Sequence, residues 1–365
     1  MDMFVSERAL EMTVPLDDAA ARAVGPLPPE HPAVAAKKVG VLLINLGTPD
    51  GTDYRSMRRY LKEFLSDPRV IEVPKLIWWP ILNGIILTFR PSKSGKAYEE
   101  IWNTERDESP LRTITRDQAE RLAARMVDSP RVIVDYAFRY GQPSLKDKIA
   151  DLQAKGCDRV LLVALYPQYS AATTGTAYDK AYAALAEMRW APTMRALPAY
   201  HDDPVYIDAL ARNIRRQIAA LPWEPEVIVA SYHGLPRANL DKGDPYHCHC
   251  AKTTRLLREA LGWDHDKLVM SFQSRFGPAE WLQPYTDQTV ERLAKDGVKR
   301  LAIVTPGFSA DCVETLEEIA IGVRETFEHN GGEYFSALQC LNASDEGIDL
   351  IQSLVRNELK GWVNV

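Results

Sequence analysis

The sequence predicts an α/β protein of two similar doubly wound, Rossmann-like domains, each a four-stranded parallel sheet flanked by helices, with the active-site cleft between them. Three observations carry this expectation. Eight short runs rich in Val, Ile, Leu and aromatic residues are apolar on both faces, as parallel strands covered on both sides must be. Amphipathic stretches of helical period separate them, and alternating β and α implies right-handed crossovers. The two halves repeat this pattern, four strands each with a helix after the last. The repeat is one of pattern and not of residues.

Composition bounds the classes open to such a chain. Of 365 residues, 46% are hydrophobic and 26% charged, enough for a sizeable core and unlike a disordered chain, a coiled coil or a collagen. Lys and Arg number 44 against 50 Asp and Glu, a net charge of −6 with no basic run, so nucleic acid is not an expected partner. Five cysteines, sparse and odd in number, fit a reducing compartment better than a disulfide framework.

In chain order, residues 1–38 carry Asp2, Glu7, Glu11, Asp17 and Asp18 and no apolar core of an export signal. The run Gly25–Pro32 (GPLPPEHP) reads as a polyproline-like linker. We expect a flexible N-terminal extension over 1–38 and a cytoplasmic protein. The first domain, 39–203, has strands at Val39–Leu46, Val132–Phe138, Val160–Tyr166 and Met194–Ala199. The second, 204–365, has them at Val227–Tyr232, Leu268–Phe272, Leu301–Thr305 and Tyr334–Gln339. Helices are expected over 113–127, 144–155, 173–188, 204–220, 252–261, 285–296, 313–328 and 345–360. The apolar stretch 70–89 is long enough to suggest a membrane span, but Glu72, Pro74, Lys75 and Pro80 argue against one. It reads either as a core helix or as an exposed apolar lip that meets a greasy ligand or a bilayer surface.

No strand is followed by G-x-G-x-x-G, and neither a phosphate-binding P-loop nor a G-x-S-x-G elbow occurs. Other groups gather at the carboxyl ends of the strands, where a doubly wound fold builds its site. Asn45 and Leu46 end the first strand and Arg139-Tyr140 follows the second. His233 ends the fifth beside Gly234, which lets a ligand approach closely. Such a histidine is either a hydrogen-bonded core residue or a base and metal ligand working near neutral pH. Glu314 opens a helix with Asp311 as a candidate N-cap and Glu318 one turn on. These acids either complement the helix dipole or carry a hard cation or a proton inward along one face. Cys248-His249-Cys250 beside His247 has a C-x-C spacing and no second pair, so it is a poor metal tract.

Taken together these segments resemble the ferrochelatase family, over about residues 39–360. The motifs are LLINLGTPD at 42–50, FRYGQP at 138–143, YPQYSAATTG at 166–175, SYHGLP at 231–236, KGDPY at 242–246, FQSRFGPAEWLQP at 272–284 and PGFSADCVETLEEI at 306–319. The resemblance implies an enzyme that inserts Fe²⁺ into protoporphyrin IX with release of two protons, in the last step of haem synthesis. Coproporphyrin III or another tetrapyrrole is the alternative substrate. It implies that His233 and Glu314 face each other across the porphyrin cleft as catalytic and metal-contacting residues, with Asp311 and Glu318 on a proton or metal path. Asn45, Leu46, Tyr98, Arg139, Tyr140 and Trp281 would line the porphyrin pocket, Arg90 would meet a propionate, and segment 54–89 would form the lip. No tightly bound cofactor is expected. The C-terminal cysteines that help hold an iron–sulfur cluster in the vertebrate type have no counterpart here, and Ala171 stands where a further family ligand sits. Arg106-Asp-Glu-Ser-Pro110 replaces a Gly-rich run of the family, and Cys312 stands where the family often has His. The partners implied are the porphyrin, ferrous iron and, peripherally, a membrane or the preceding enzyme of the pathway. A non-catalytic porphyrin-binding protein or a two-domain solute-binding protein are the rival readings; the latter would bring an export signal and a polar cleft.

Overall fold

A computed structural model describes residues 37–363. The expectation of a flexible extension over 1–38 falls almost wholly outside the described residues.

Two four-stranded sheets form the frame. The first comprises β1 (Lys38–Gly47), β2 (Val132–Tyr140), β3 (Cys157–Ala164) and β4 (Thr193–Ala196), in the order β2-β1-β3-β4. The second comprises β5 (Val227–His233), β6 (Leu268–Gln273), β7 (Arg300–Val304) and β8 (Tyr334–Ala337), in the equivalent order β6-β5-β7-β8. Every strand pair is parallel. The near-continuous burial of β1 explains why its sequence, KVGVLLINLG, shows no alternation: it is central and covered on both faces.

Short polar residues start the helices at the expected places. Ser109 and Asp203 cap helices Pro110–Arg125 and Pro204–Ala219, each with proline in the first turn, where a missing N–H costs nothing. Ser344 caps Asp345–Leu359. The inner faces of both sheets share one apolar core. Leu43 and Leu161 of the first sheet and Ile228 and Ala302 of the second lie in a single cluster with Ile214 and Ile351 of these last two helices.

Segment 54–101 departs from a simple core helix. Asp53 caps helix Tyr54–Leu65, and after a loop come helix Lys75–Ile81, a π-helical turn Leu82–Ile86 and helix Leu87–Ile101. Pro80 removes one main-chain donor inside this run, and the wide turn follows directly. Leu76 is 92% exposed and Phe89 72%, with Ile77, Trp79 and Ile85 also exposed, so of the two readings of 70–89 the exposed lip is the one observed. Trp78 by contrast is anchored inward, its indole N–H donating to the Leu65 carbonyl at 2.7 Å. Among the described residues no helix is long and apolar enough to cross a membrane.

Candidate active site

The carboxyl ends of both sheets open onto one cavity. Asn45 and Leu46 reach it from the end of β1, Tyr98 from the lip helix, His233 from the end of β5 and Glu314 from the start of the helical segment that follows β7. Gly47 also lines it, at φ +113°, where an added Cβ would lie 1.8 Å from the Tyr140 carbonyl; only glycine fits this turn.

Two local devices present the imidazole. His233 Nδ1 lies 2.6 Å from the Gly234 carbonyl. A carbonyl can only accept, so Nδ1 carries the hydrogen and the unprotonated ring offers Nε2 as its acceptor. The loop turns tightly: a Cβ on Gly234 would meet the Gln273 carbonyl at 2.7 Å and the Trp281 ring at 3.1 Å. Trp281 therefore backs the histidine loop. It is buried, donates its indole N–H to the Phe276 carbonyl at 3.0 Å, and does not line the cavity.

Glu314 is the first residue of a ten-residue π-helical segment, Glu314–Val323. π-helical geometry is rare and concentrates at functional sites. Its wider coil leaves Glu318 just short of a full turn from Glu314, so the two acids stay on one side. Glu318 is gripped by Ser274, whose backbone N–H donates at 2.7 Å and whose hydroxyl also donates, and more loosely by the Gln273 amide. Ser274 holds φ +66° to aim that N–H, an uncommon conformation for a non-glycine residue. Burial pushes the Glu318 carboxyl above its ordinary range, and the Glu314 charge adds to the rise; the Ser274 donors, and His233 when protonated, pull the other way without reversing it. Burial also raises Glu317, helped by Glu100 of the lip helix.

The cavity wall contains residues that the sequence reading did not single out. Tyr60 and Tyr166 line it, and burial holds their phenols, like that of Tyr98, well above the usual range, so all three are neutral. Tyr166 ends the third strand run and could have been found by the strand-end rule. Tyr60 lies on a helix that the periodicity search passed over. Cys312 lines the cavity too, its thiol kept protonated by burial and by Glu314.

Other expected site residues lie elsewhere. Arg139 and Tyr140 do not line the cavity. Arg139 pairs with Asp67 and donates through Nε to Thr176 at 2.7 Å, and the fully buried Tyr140 hydroxyl donates to the same Asp67 at 2.8 Å. Burial would raise Asp67, but the Thr176 hydroxyl, the Arg69 backbone N–H, Tyr140 and Arg139 hold it below the usual carboxylate range, tying the base of the lip to β2. Asp311 neither caps the segment nor reaches the cavity: Val313 is the N-cap, and Asp311 accepts from Thr315 at 2.9 Å and Asn342 at 2.6 Å, pinning the loop ahead of Glu314. Arg90 lies outside the cavity lining, its guanidinium 5.4 Å from the Phe276 ring centroid between the lip and the loop after β6. It makes no ion pair among the described residues, and desolvation lowers its pKa. Cys248 is exposed and Cys250 buried on helix Tyr246–Leu261, so the two thiols of the C-x-C face opposite ways.

Two like parallel sheets, with an imidazole and a carboxylate at one cavity between their strand ends, place the protein in the chelatase class of α/β enzymes. The solved structure of SirB from Bacillus subtilis with Fe³⁺ shares this fold, with a TM-score of 0.53 and 11% identity over 89% of this chain and 97% of that one. The chain belongs to the ferrochelatase family, which it matches over residues 38–359. The ferrochelatase of Allorhizobium ampelinum is 61% identical across 93% of this chain and 99% of that protein. That of Rhizobium meliloti is 61% identical across 92% and 98%. The chain is thus a lyase that inserts metal into a porphyrin.

Proposed function

We propose that this chain inserts ferrous iron into protoporphyrin IX, exchanging two pyrrole protons for one Fe²⁺, to give protohaem. The observation that carries the reading is the convergence of His233 and Glu314 on one largely apolar cavity between the two sheets. In this reading the unit 39–203 supplies the lip and ring wall, and the unit 204–365 carries the histidine and the acids.

Insertion requires the macrocycle to be gripped and bent, two protons to leave, and a hydrated cation to shed its water. Tyr60, Tyr98, Leu46 and Tyr166 offer broad neutral surface to a flat ring. Binding energy from the ring's periphery can drive its distortion at the centre. His233 Nε2 accepts a pyrrole proton, its tautomer fixed by the Gly234 carbonyl. Glu314 meets the iron, and Glu318, whose carboxyl takes up a proton more readily than an ordinary one, passes protons outward. Arg90, an exposed cation that makes no ion pair among the described residues, suits a propionate at the cleft mouth. Iron is substrate in this scheme, and no resident cofactor takes part; the divergent thiols of Cys248 and Cys250 support that reading. The exposed lip meets a membrane surface, from which a greasy porphyrin can enter.

The test is anaerobic incubation of the protein with protoporphyrin IX and Fe²⁺, followed by absorbance. Protohaem formation is expected. A shifted porphyrin band without metallation would reduce the protein to a porphyrin binder, and metallation of coproporphyrin III alone would change the substrate.

A further inference from the structure

Gln273, the last residue of β6, is buried and touches both halves of the proposed machinery. On one side its backbone lies in register with His233, and its carbonyl accepts the Gly234 N–H at 2.7 Å. On the other its side-chain NH₂ donates to the Glu314 carbonyl at 2.8 Å and reaches a Glu318 carboxylate oxygen at 3.4 Å. The Glu314 carbonyl can only accept, so the amide orientation is forced. Its remaining oxygen takes the hydroxyl hydrogen of Ser231 at 2.8 Å. Ser231 is held in turn within 2.8 Å of Thr286, which lies 2.8 Å from Ser271. All three hydroxyls are buried. A buried amide in such a place must satisfy every donor and acceptor or be destabilising, and an apolar side chain would fill the space without that demand. Here the amide joins two elements that nothing in the local chain holds together: the end of β5 and the start of the segment Glu314–Val323.

We propose that Gln273 is a positioning residue for metal insertion, setting the separation of the His233 imidazole from the Glu314 and Glu318 carboxylates. The proposal rests on the roles given above to His233 and Glu314. Misplacement of reacting groups by about 1 Å can cost a factor of 10², so the effect belongs in turnover and not in affinity.

The test uses the full chain with Zn²⁺ and protoporphyrin IX. It measures kcat per folded molecule, KM for the porphyrin, and porphyrin binding by fluorescence quenching. Gln273→Met keeps the bulk and removes the amide; kcat should fall by about 10–100-fold with KM and binding within two-fold of the parent. Gln273→Glu keeps the acceptor for Ser231 but, when ionised, cannot donate to the Glu314 carbonyl, and should be as slow. Ser231→Ala frees the amide to rotate and should lower kcat several-fold; it and Gln273→Glu decide the matter if Gln273→Met does not fold. Parental kcat in the folded variants, or losses confined to KM, would overturn the proposal. His233→Ala and Glu314→Gln are run beside them. If those two stay active the underlying site assignment fails; if they are inactive while the Gln273 variants match the parent, only the positioning role fails.

Discussion

At His233 the hydrogen bond from Nδ1 to the Gly234 carbonyl fixes which nitrogen can act. His233→Ala should therefore cut metallation by about 10²–10⁴-fold while leaving porphyrin binding intact, measured by initial rates and by fluorescence titration; turnover within a few-fold of the parent would remove it from the chemistry. Glu314→Gln should likewise cut turnover by orders of magnitude with little change in Tm, whereas a purely dipole-complementing acid would cost only about 0.3–1 kcal/mol of stability. Glu318 carries a pH signature. Its folded pKa lies above the ordinary 4.5, so the folded state holds its proton more tightly than the unfolded chain does. Stability from this group is then greatest below that ordinary value and declines as pH rises toward the folded one. Glu318→Gln should raise Tm at pH 7 and leave it unchanged at pH 4; an equal shift at both would contradict the raised carboxyl. The strand-end rule points to Asn45, Leu46, His233 and Glu314, and all four line the cavity, whereas Tyr98, on helix Leu87–Ile101, is reached only through the family resemblance. The same rule points to Arg139 and Tyr140, which in this structure bond Asp67, some 70 positions away in a loop without any local signal.

The lip was ambiguous in the sequence because its apolar residues are spread around the helix, so no periodicity says which face is covered. Exposure of Leu76, Trp79 and Phe89 settles that no other part of the described chain covers them. The π-helical turns were invisible for a related reason. A residue added to each turn scarcely alters a short hydrophobic pattern, so 313–328 reads as an ordinary helix until the main-chain bonds are seen. If the lip meets a bilayer surface, the protein should cosediment with phospholipid vesicles and be released by carbonate without detergent. Leu76→Asp together with Phe89→Asp should abolish cosedimentation, since the buried apolar area drives interfacial binding. Rates with a water-soluble porphyrin should stay near parental. Undiminished vesicle binding by the double variant would exclude the lip as the contact.

At the scale of the whole molecule the repeat of strand order invites the view of two independent domains, and chains beyond about 150 residues commonly unfold in more than one step. The packing argues otherwise. The inner faces of both sheets, helix Pro204–Ala219 and helix Asp345–Leu359 contribute to one buried cluster. The last helix lies against Pro110–Arg125 of the first half, with Arg125 paired to Asp345 at 2.8 Å and Arg356 to Asp128 at 2.8 Å. Those ion pairs are exposed and contribute little; the apolar contact is what couples the halves. Gln118 adds a buried clasp, donating to the Ser309 carbonyl in the loop ahead of Glu314 at 3.1 Å and to the Asn342 carbonyl in the loop after β8 at 3.0 Å. The cavity walls therefore rest on one shared core, and if that core unfolds as a unit the ring wall and the acids keep a fixed spacing. Ile351 is buried in that shared cluster. Ile351→Ala should destabilise the protein by about 2–5 kcal/mol. Hydrogen exchange followed along a urea series tests the coupling: amides of β1 and β5 should lose protection at one common midpoint, shifted together by the substitution although Ile351 belongs to the second half of the chain. Retention of β1 protection after β5 has opened would show two domains folding separately, with the cleft set by their docking.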